Sequence, residues 1–409
     1  MRSVRVSLPL ALAAAVLAWT IGPQSVVARQ ASPAPDAAPA ASTPVVDAPT
    51  SQPPAASAPD AQAGTSSPPS SVPTTQEAGP TPPAQPPADV RPGQAESLAP
   101  KPETFEHFLS GVRAEALVRG VGPATLDLAF TGLTPEPVVV SRDRTQPEET
   151  QSLEDYVARH VTPRTIAAAN RMRRTHRALL TRIERAYGVA PAPMVAIWGL
   201  ESNFGAFTGT YPTIRALATL AYDARRPLFR EELLNALAIL NAGHVDPTAL
   251  KGSWAGAMGQ PQFMPSSFLK YAVDFDKNGR IDIWTSTPDV LASMANYLKA
   301  MGWKTGERWG REVKASKSVL ARIDRDVPMR TTGCRALRQM TEPRPLTEWR
   351  TLGVRLANGR PLPASSIKAS LIRGERRLFL GYTNYDALVA YNCSNSYAVA
   401  VGLLSDEIR

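Results

Sequence analysis

The sequence predicts an α+β protein, predominantly helical, with a small β-containing lobe toward its C-terminus. Three observations carry that prediction. Apolar residues recur at helical spacing through most of 105–301. Strand-like runs come only later, at 352–362 and 367–382, with turn signals at Asn358-Gly359 and Gly374. Between them in rank is a stretch beginning at Pro191 that is apolar on nearly every side, which reads as a helix buried all round.

The first hundred residues carry none of these patterns. Residues 1–28 read as a secretory signal: Arg2 and Arg5 precede a largely apolar run from Leu8 to Ile21, and Val26-Val27-Ala28 suits signal peptidase. No cysteine lies there, so a lipoprotein anchor is not expected. The expected location is the periplasm, with membrane association only if the signal is retained. From Arg29 to Glu103 Pro, Ala, Ser, Thr and Gln dominate, and 19 of the 39 prolines fall between residues 30 and 102. With no aromatic residue between Gln30 and Thr104, such a segment buries too little apolar surface to offset its ordering entropy, so a disordered linker is expected.

Residues 104–409 are enough for one large domain or two closely packed lobes. Helices are expected over 105–131 in two pieces, over 152–160 opened by Ser152, and over 162–187 as one long Arg-rich amphipathic helix. After the Pro191 helix, further helices are expected over 213–222, 227–242, 266–273 and 288–301. The main helical core is expected over about 150–312 and the C-terminal lobe over about 313–409. The net charge is +9, but Arg and Lys read as scattered among Glu and Asp. Nucleic acid is therefore not the expected partner; an acidic polymer met outside the cytoplasm is. The two cysteines, Cys334 and Cys393, are expected to pair, on even count and an oxidising compartment.

Chemistry concentrates first in Met194-Val-Ala-Ile-Trp-Gly-Leu-Glu201-Ser-Asn-Phe-Gly205. A lone carboxylate closing an apolar helix should have its charged form disfavoured by burial and its pKa raised. A carboxyl protonated near neutrality can protonate a leaving oxygen. Taken by itself, the stretch is explained as well by a helix-end Glu that points into water. The second feature is the loop Gly252-Ser253-Trp254-Ala-Gly-Ala-Met-Gly259-Gln260-Pro-Gln262-Phe263-Met-Pro-Ser-Ser267. It sets Ser253, Gln260 and Gln262 beside Trp and Phe faces, the mixture of neutral polar groups and flat apolar faces that suits a sugar.

These motifs resemble the lytic murein transglycosylases of the type B family, over most of 105–408. The resemblance implies a lysozyme-like core, Glu201 as the sole catalytic carboxylate, and Ser253 and Gln262 lining a cleft for peptidoglycan glycan strands. It also places Tyr156, Tyr297, Tyr391, Asn392 and Tyr397 at the cleft, with Phe229 where some members have tyrosine. On composition alone each aromatic would more readily be core. No cofactor is implied for the chemistry, and the cell-wall synthesis machinery is the protein partner that this setting suggests.

The third feature is Asp274-Phe-Asp276-Lys-Asn278-Gly279-Arg280-Ile-Asp282-Ile-Trp-Thr285. Oxygen side chains at positions 1, 3 and 5, Gly at 6, Arg280 at 7 and an apolar residue at 8 follow an EF-hand loop. Thr285 replaces the bidentate Glu at position 12; the resemblance implies that Asp289 closes the site. A weak structural Ca2+ is expected, against the plain alternative of an Asp/Asn/Gly turn.

With one carboxylate, the expected reaction is non-hydrolytic. Glu201 protonates the oxygen between N-acetylmuramic acid and N-acetylglucosamine, then accepts the proton of the sugar's own 6-hydroxyl as that hydroxyl attacks C1. Asp223, Glu231 and Glu232 have structural readings as helix-end residues. Two rivals stay open at this level: a muramidase that uses water at C1, and a glycan-binding scaffold without activity.

Overall fold

The helix that holds Glu201 is buried because nothing along it is polar until its last turn, and the rest of the chain packs round it. The computed structural model describes residues 104–145, 151–224 and 226–409; the expected signal segment and linker lie outside these. The first helices are α1 (Phe105–Val118), α2 (Pro123–Phe130) and α3 (Pro137–Thr145). Next come α4 (Leu153–His160), α5 (Pro163–Thr175), α6 (Arg177–Tyr187) and the central α7 (Pro191–Ser202). After the two-residue β1 (Tyr211–Pro212) follow α8 (Thr213–Tyr222), α9 (Leu228–Asn241), β2 (Lys251–Gly252), α10 (Pro265–Tyr271) and α11 (Thr287–Ala300).

The C-terminal part begins with β3 (Gly310–Lys314), α12 (Lys317–Asp326), α13 (Arg335–Arg338), β4 (Arg344–Pro345) and α14 (Leu346–Leu352). It continues through β5 (Arg355–Leu356), β6 (Lys368–Arg373) and β7 (Leu378–Gly381) to α15 (Thr383–Tyr391) and α16 (Asn395–Glu407). β3 to β7 form one antiparallel sheet in the order β4-β6-β7-β3-β5, and the β6–β7 register sets Leu371 opposite Leu380. Its inner face packs on α12 and α14 round Trp349, which is fully buried.

Two larger apolar clusters fill the helical body. One joins α7 to α4, α5, α6, α11, α15 and α16; the other joins α8, α9, α10 and α1. Residues 105–145 thus belong to the helical body, which starts well before 150.

Two expectations need correction. The single helix expected over 162–187 is broken at His176, whose ψ of 20° ends α5. The amphipathic pattern continues through the break, but α5 packs on α7 while α6 packs chiefly on α11, so the chain turns to serve both. The lobe expected over 313–409 also ends early. α15 and α16 leave the sheet, and α16 packs against α4 and α7, so the C-terminal helices complete the central cluster. They went unrecognised because their apolar residues surround nearly the whole helix and give little periodicity.

Cys334 and Cys393 are disulfide-bonded, with Cα atoms 6.2 Å apart. The bond ties the start of α13 to the short link between α15 and α16.

Candidate active site

α7 starts with Pro191 in its first turn, where the missing N–H costs nothing, and ends in three left-handed residues: Asn203 (φ 48°), Phe204 (φ 60°) and Gly205 (φ 86°). The expected stop at Gly205 therefore arrives two residues earlier, at Asn203. Phe204 folds back so that its ring meets Trp198 edge-on at 5.6 Å. A left-handed Phe is costly, and such strain is characteristic of functional sites.

Glu201 lies one turn after Trp198 and is half-buried. Burial pushes its carboxyl up to about 7, while the nearby Tyr397 hydroxyl holds it down. Tyr397 is buried on α16, and its hydroxyl lies beside that carboxyl without regular hydrogen-bond geometry. Tyr391 and Tyr397 are both pushed well above the usual phenol range, by burial first and then by the Glu201 charge. Both therefore stay neutral beside it. Tyr156 is near enough to influence Tyr397 and stacks on His160 at 4.0 Å between ring centroids. α15 and α16 thus bring two of the expected tyrosines to one acid, with Tyr156 of α4 near the second.

The remaining expected residues divide. Tyr391 donates to the Pro261 carbonyl at 2.8 Å, fastening the end of α15 to the Gly-rich loop. Asn392, just beyond it, is exposed. Ser253 Oγ accepts the N–H of Ala257 at 3.1 Å and of Ala255 at 3.3 Å, holding the loop's own turn. Gln262 has φ 52° and donates Nε2 to the Gly259 carbonyl at 2.8 Å and the Thr208 carbonyl at 3.2 Å. Tyr297 is different: it is buried, and its hydroxyl donates to the Ala390 carbonyl at 2.6 Å. It supports Tyr391 from beneath, with ring centroids 4.9 Å apart, and presents no open face. Phe229 is buried in the α8–α9 cluster and also offers no open face.

The other acids near in sequence are engaged elsewhere. Glu231 pairs with Arg119, Glu232 accepts from Ser266 Oγ at 2.6 Å and from its N–H at 2.8 Å, and Asp223 lies 3.5 Å from Arg144.

Two linking residues take roles that the sequence did not indicate. Gln260, read as a sugar-facing group, is buried: it accepts from Trp198 Nε1 at 2.7 Å and donates to the Trp284 carbonyl at 2.8 Å. A Cβ at Gly205 would press on this amide, which accounts for the glycine there. Glu154 is buried at the start of α4 and accepts the N–H groups of Glu375, Arg376 and Arg377 at 3.1, 2.7 and 2.8 Å. Against the upward push of burial, these donors hold its carboxyl below the usual range. It clamps the β6–β7 turn to the helix that carries Tyr156. A buried Gln in a Gly-rich loop leaves no pattern in sequence, and Glu154 reads there as an ordinary first-turn acid.

In the acidic loop, carboxylate oxygens of Asp274, Asp276 and Asp289 lie within 4.8 Å of one another. Asp274 accepts the N–H groups of Asn278 and Gly279, Asp276 that of Asn278, and Asp289 those of Phe275 and Asp282, so backbone donors hold all three acids. Asp289 is fully buried, and burial together with the Asp276 charge pushes its carboxyl up. No cationic side chain is bonded to these three acids among the described residues. Arg280 directs its guanidinium to Asp282 at 3.0 Å, so only its carbonyl is left for a cation. Thr285, at position 12, is taken up by Asp282.

The profile of the family described as "Transglycosylase SLT domain" matches residues 104–406. The chain belongs to that family. It is 33% identical over 235 residues to membrane-bound lytic murein transglycosylase B of Escherichia coli K12, a match covering 56% of this chain and 60% of that protein. The chain therefore matches less than two thirds of that relative's length.

Among solved structures it is similar to SltB3 of Pseudomonas aeruginosa in complex with NAG-NAM-pentapeptide. That likeness has 42% identity, a TM-score of 0.68 and coverage of 74% of this chain and 79% of the other. A second SltB3 complex, with NAG-anhNAM-pentapeptide, gives 42% identity and a TM-score of 0.67 over the same shares. The E. coli lytic transglycosylase Slt35 in complex with calcium is 27% identical, with a TM-score of 0.60, over 74% of this chain and 91% of that one. The lysozyme-like, mainly helical α+β core of this transglycosylase-family chain follows these structures.

Proposed function

We propose that the chain is a peptidoglycan lytic transglycosylase. It cleaves the β-1,4 bond from N-acetylmuramic acid to N-acetylglucosamine without water and leaves a 1,6-anhydromuramic end. The observation that carries this is Glu201, a half-buried carboxyl pushed up to about 7 by burial, with no second carboxylate contributing to that shift among the described residues. A hydrolase of the two-carboxylate kind needs an acid and a base or nucleophile flanking the bond. Here one group serves twice. Protonated Glu201 donates to the glycosidic oxygen; as carboxylate it takes the proton of the 6-hydroxyl that attacks C1, and a pKa near neutrality suits both roles. The half-buried Tyr156 and the exposed Asn392 side chain are the polar groups for the sugar, while the buried Tyr397 hydroxyl lies beside Glu201. The anhydro sugar bound in the SltB3 relative supports the same product.

Substrate contact, location and metal belong to the same reading. The glycan strand is peptidoglycan, met in the periplasm after export by residues 1–28, with 29–103 as a spacer and the cell-wall synthesis machinery as the setting. Asp274, Asp276, Asn278 and Asp289 with the Arg280 carbonyl hold a Ca2+, since three converging carboxylates without a cationic partner fit a hard oxygen-seeking ion. A bound cation there would neutralise the buried Asp289 and brace the loop; no step of the reaction passes through it.

Mass spectrometry of muropeptides released from purified sacculi tests the function. Anhydro ends are expected. Reducing muramic ends, or no release at all, would overturn it.

A further inference from the structure

The three N–H groups that meet the Glu154 carboxylate are consecutive in the chain, those of Glu375, Arg376 and Arg377. The β6–β7 turn is shaped to receive it. A Cβ at Gly374 would stand 2.5 Å from Oε1 and 2.9 Å from Cδ of Glu154, too close for any side chain. The Gly374 N–H donates to the Arg377 carbonyl at 2.8 Å and closes the turn. The turn is in turn held by the small sheet lobe. Arg377 pairs with Glu312 of β3 at 2.8 Å and lies over the Phe379 ring at 4.9 Å, and Arg373 pairs with Asp324 of α12.

On the other side of the clamp is α4, a helix of only eight residues. A helix that short is not stable alone and takes its position from what it packs on. Leu153 and Val157 are buried in the central apolar cluster, and α16 packs against the helix. Apolar burial is non-directional, however, whereas hydrogen bonds fix an orientation. Glu154 and Tyr156 are two residues apart, about 200° round a helix, so the clamp and Tyr156 stand on opposite sides of α4. Tyr156 is half-buried, stacks on His160 and lies near Tyr397, which neighbours Glu201. A roll of α4 about its axis would carry the Tyr156 ring with it, and the three N–H groups on Glu154 oppose that roll.

We propose that Glu154 is a positioning residue, through which the β6–β7 turn sets the orientation of α4 and so of Tyr156 against the sugar. The proposal rests on the functional reading above. Glu154 itself touches no substrate and acts by way of Tyr156. The small sheet lobe thereby takes part in substrate fit, although no residue assigned to the cleft belongs to it.

The experiment is a double-mutant cycle on the full chain, with Glu154→Gln, Tyr156→Ala and murein glycan strands as substrate. Gln keeps the shape but brings an NH2 group to a place where three backbone donors already point. In the wild-type background kcat/KM should fall roughly tenfold, through KM with kcat within about twofold, as for a binding group slightly misplaced. In the Tyr156→Ala background the same substitution should change kcat/KM by less than about twofold, because residues that act as a unit are not additive. Gly374→Ala disturbs the clamp from the turn and leaves Glu154 in place. It should give the same rise in KM, and the rise should again vanish with Tyr156→Ala. Assays are run below the melting transition of every variant, and if Glu154→Gln does not fold, the Gly374→Ala cycle decides. An equal fall in both backgrounds, a fall in kcat at constant KM, or no fall would overturn the positioning role and leave the functional reading intact. A wild-type chain that cleaves no murein would overturn both.

Discussion

The indole N–H of Trp198 donates to Oε1 of Gln260 at 2.7 Å, and the same amide donates to the carbonyl of Trp284 at 2.8 Å. One buried side chain thus joins the helix of Glu201 to the end of the acidic loop.

Replacing that amide should be felt at both ends. Gln260→Leu leaves the Trp198 N–H and the Trp284 carbonyl without partners, at about 1–3 kcal/mol for each buried group. The melting temperature should fall, and kcat should fall beyond what the loss of folded protein explains, because Trp198 lies one turn before the acid. An unchanged melting temperature, or a kcat loss matching the unfolded fraction, would show that the bridge does not position Glu201.

Glu201→Gln should lower activity at least a hundredfold, within the usual range for a lost general acid. It should also change how stability depends on pH. The folded carboxyl titrates at about 7 against an ordinary value of 4.5, so the folded state binds the extra proton between those limits. Wild-type stability should therefore decline as pH rises from about 4.5 through 7, by up to about 3 kcal/mol before solvent screening reduces it. The variant should lack that decline and melt higher than wild type at pH 8. Parallel stability profiles for the two proteins would contradict the raised pKa.

Ca2+ should raise the melting temperature and a chelator should lower it. Asp289→Asn should remove most of that difference, because it takes the buried charge from the three-acid cluster. With ligand in excess of a millimolar-type Kd by a hundredfold the gain is about 2.7 kcal/mol. Identical melts with Ca2+ and with chelator would reject the site.

Reduction of Cys334–Cys393 frees a span with a sequence separation of 59, for which loop entropy alone suggests a cost of roughly 4 kcal/mol. Because Cys393 stands between Tyr391 and Tyr397, activity should decline at temperatures where the reduced protein is still folded. Full activity in the reduced protein across its folded range would show that the bond does not hold those tyrosines.

The helices of the first half were legible because each is announced locally. Ser152 caps α4, Pro191 opens α7, and the apolar spacing of 213–222 and 288–301 survives without knowledge of any partner. Glu201 stood out because charge is rare in an apolar helix, and the Asp/Asn/Gly spacing of 274–279 is itself a local code. α15 and α16 escaped notice, and the resemblance alone placed Tyr297 and Phe229 at the cleft, because local pattern is silent on one point. Which side of a residue meets solvent depends on neighbours far away in the chain.

The sequence by itself determined where the acid is, where the acidic loop is, and that a helical body would precede a small sheet. Those properties rest on residue type and short-range spacing. Only the tertiary structure decided that Glu201 has a pKa near 7, since this requires α15 and α16 to close round it. It alone decided that Gln260 bridges inward instead of facing a sugar, that the long Arg-rich helix turns at His176, and that Glu154 meets the β6–β7 turn. Each of these is a juxtaposition of distant segments, and burial and electrostatics act through space where local sequence pattern does not reach.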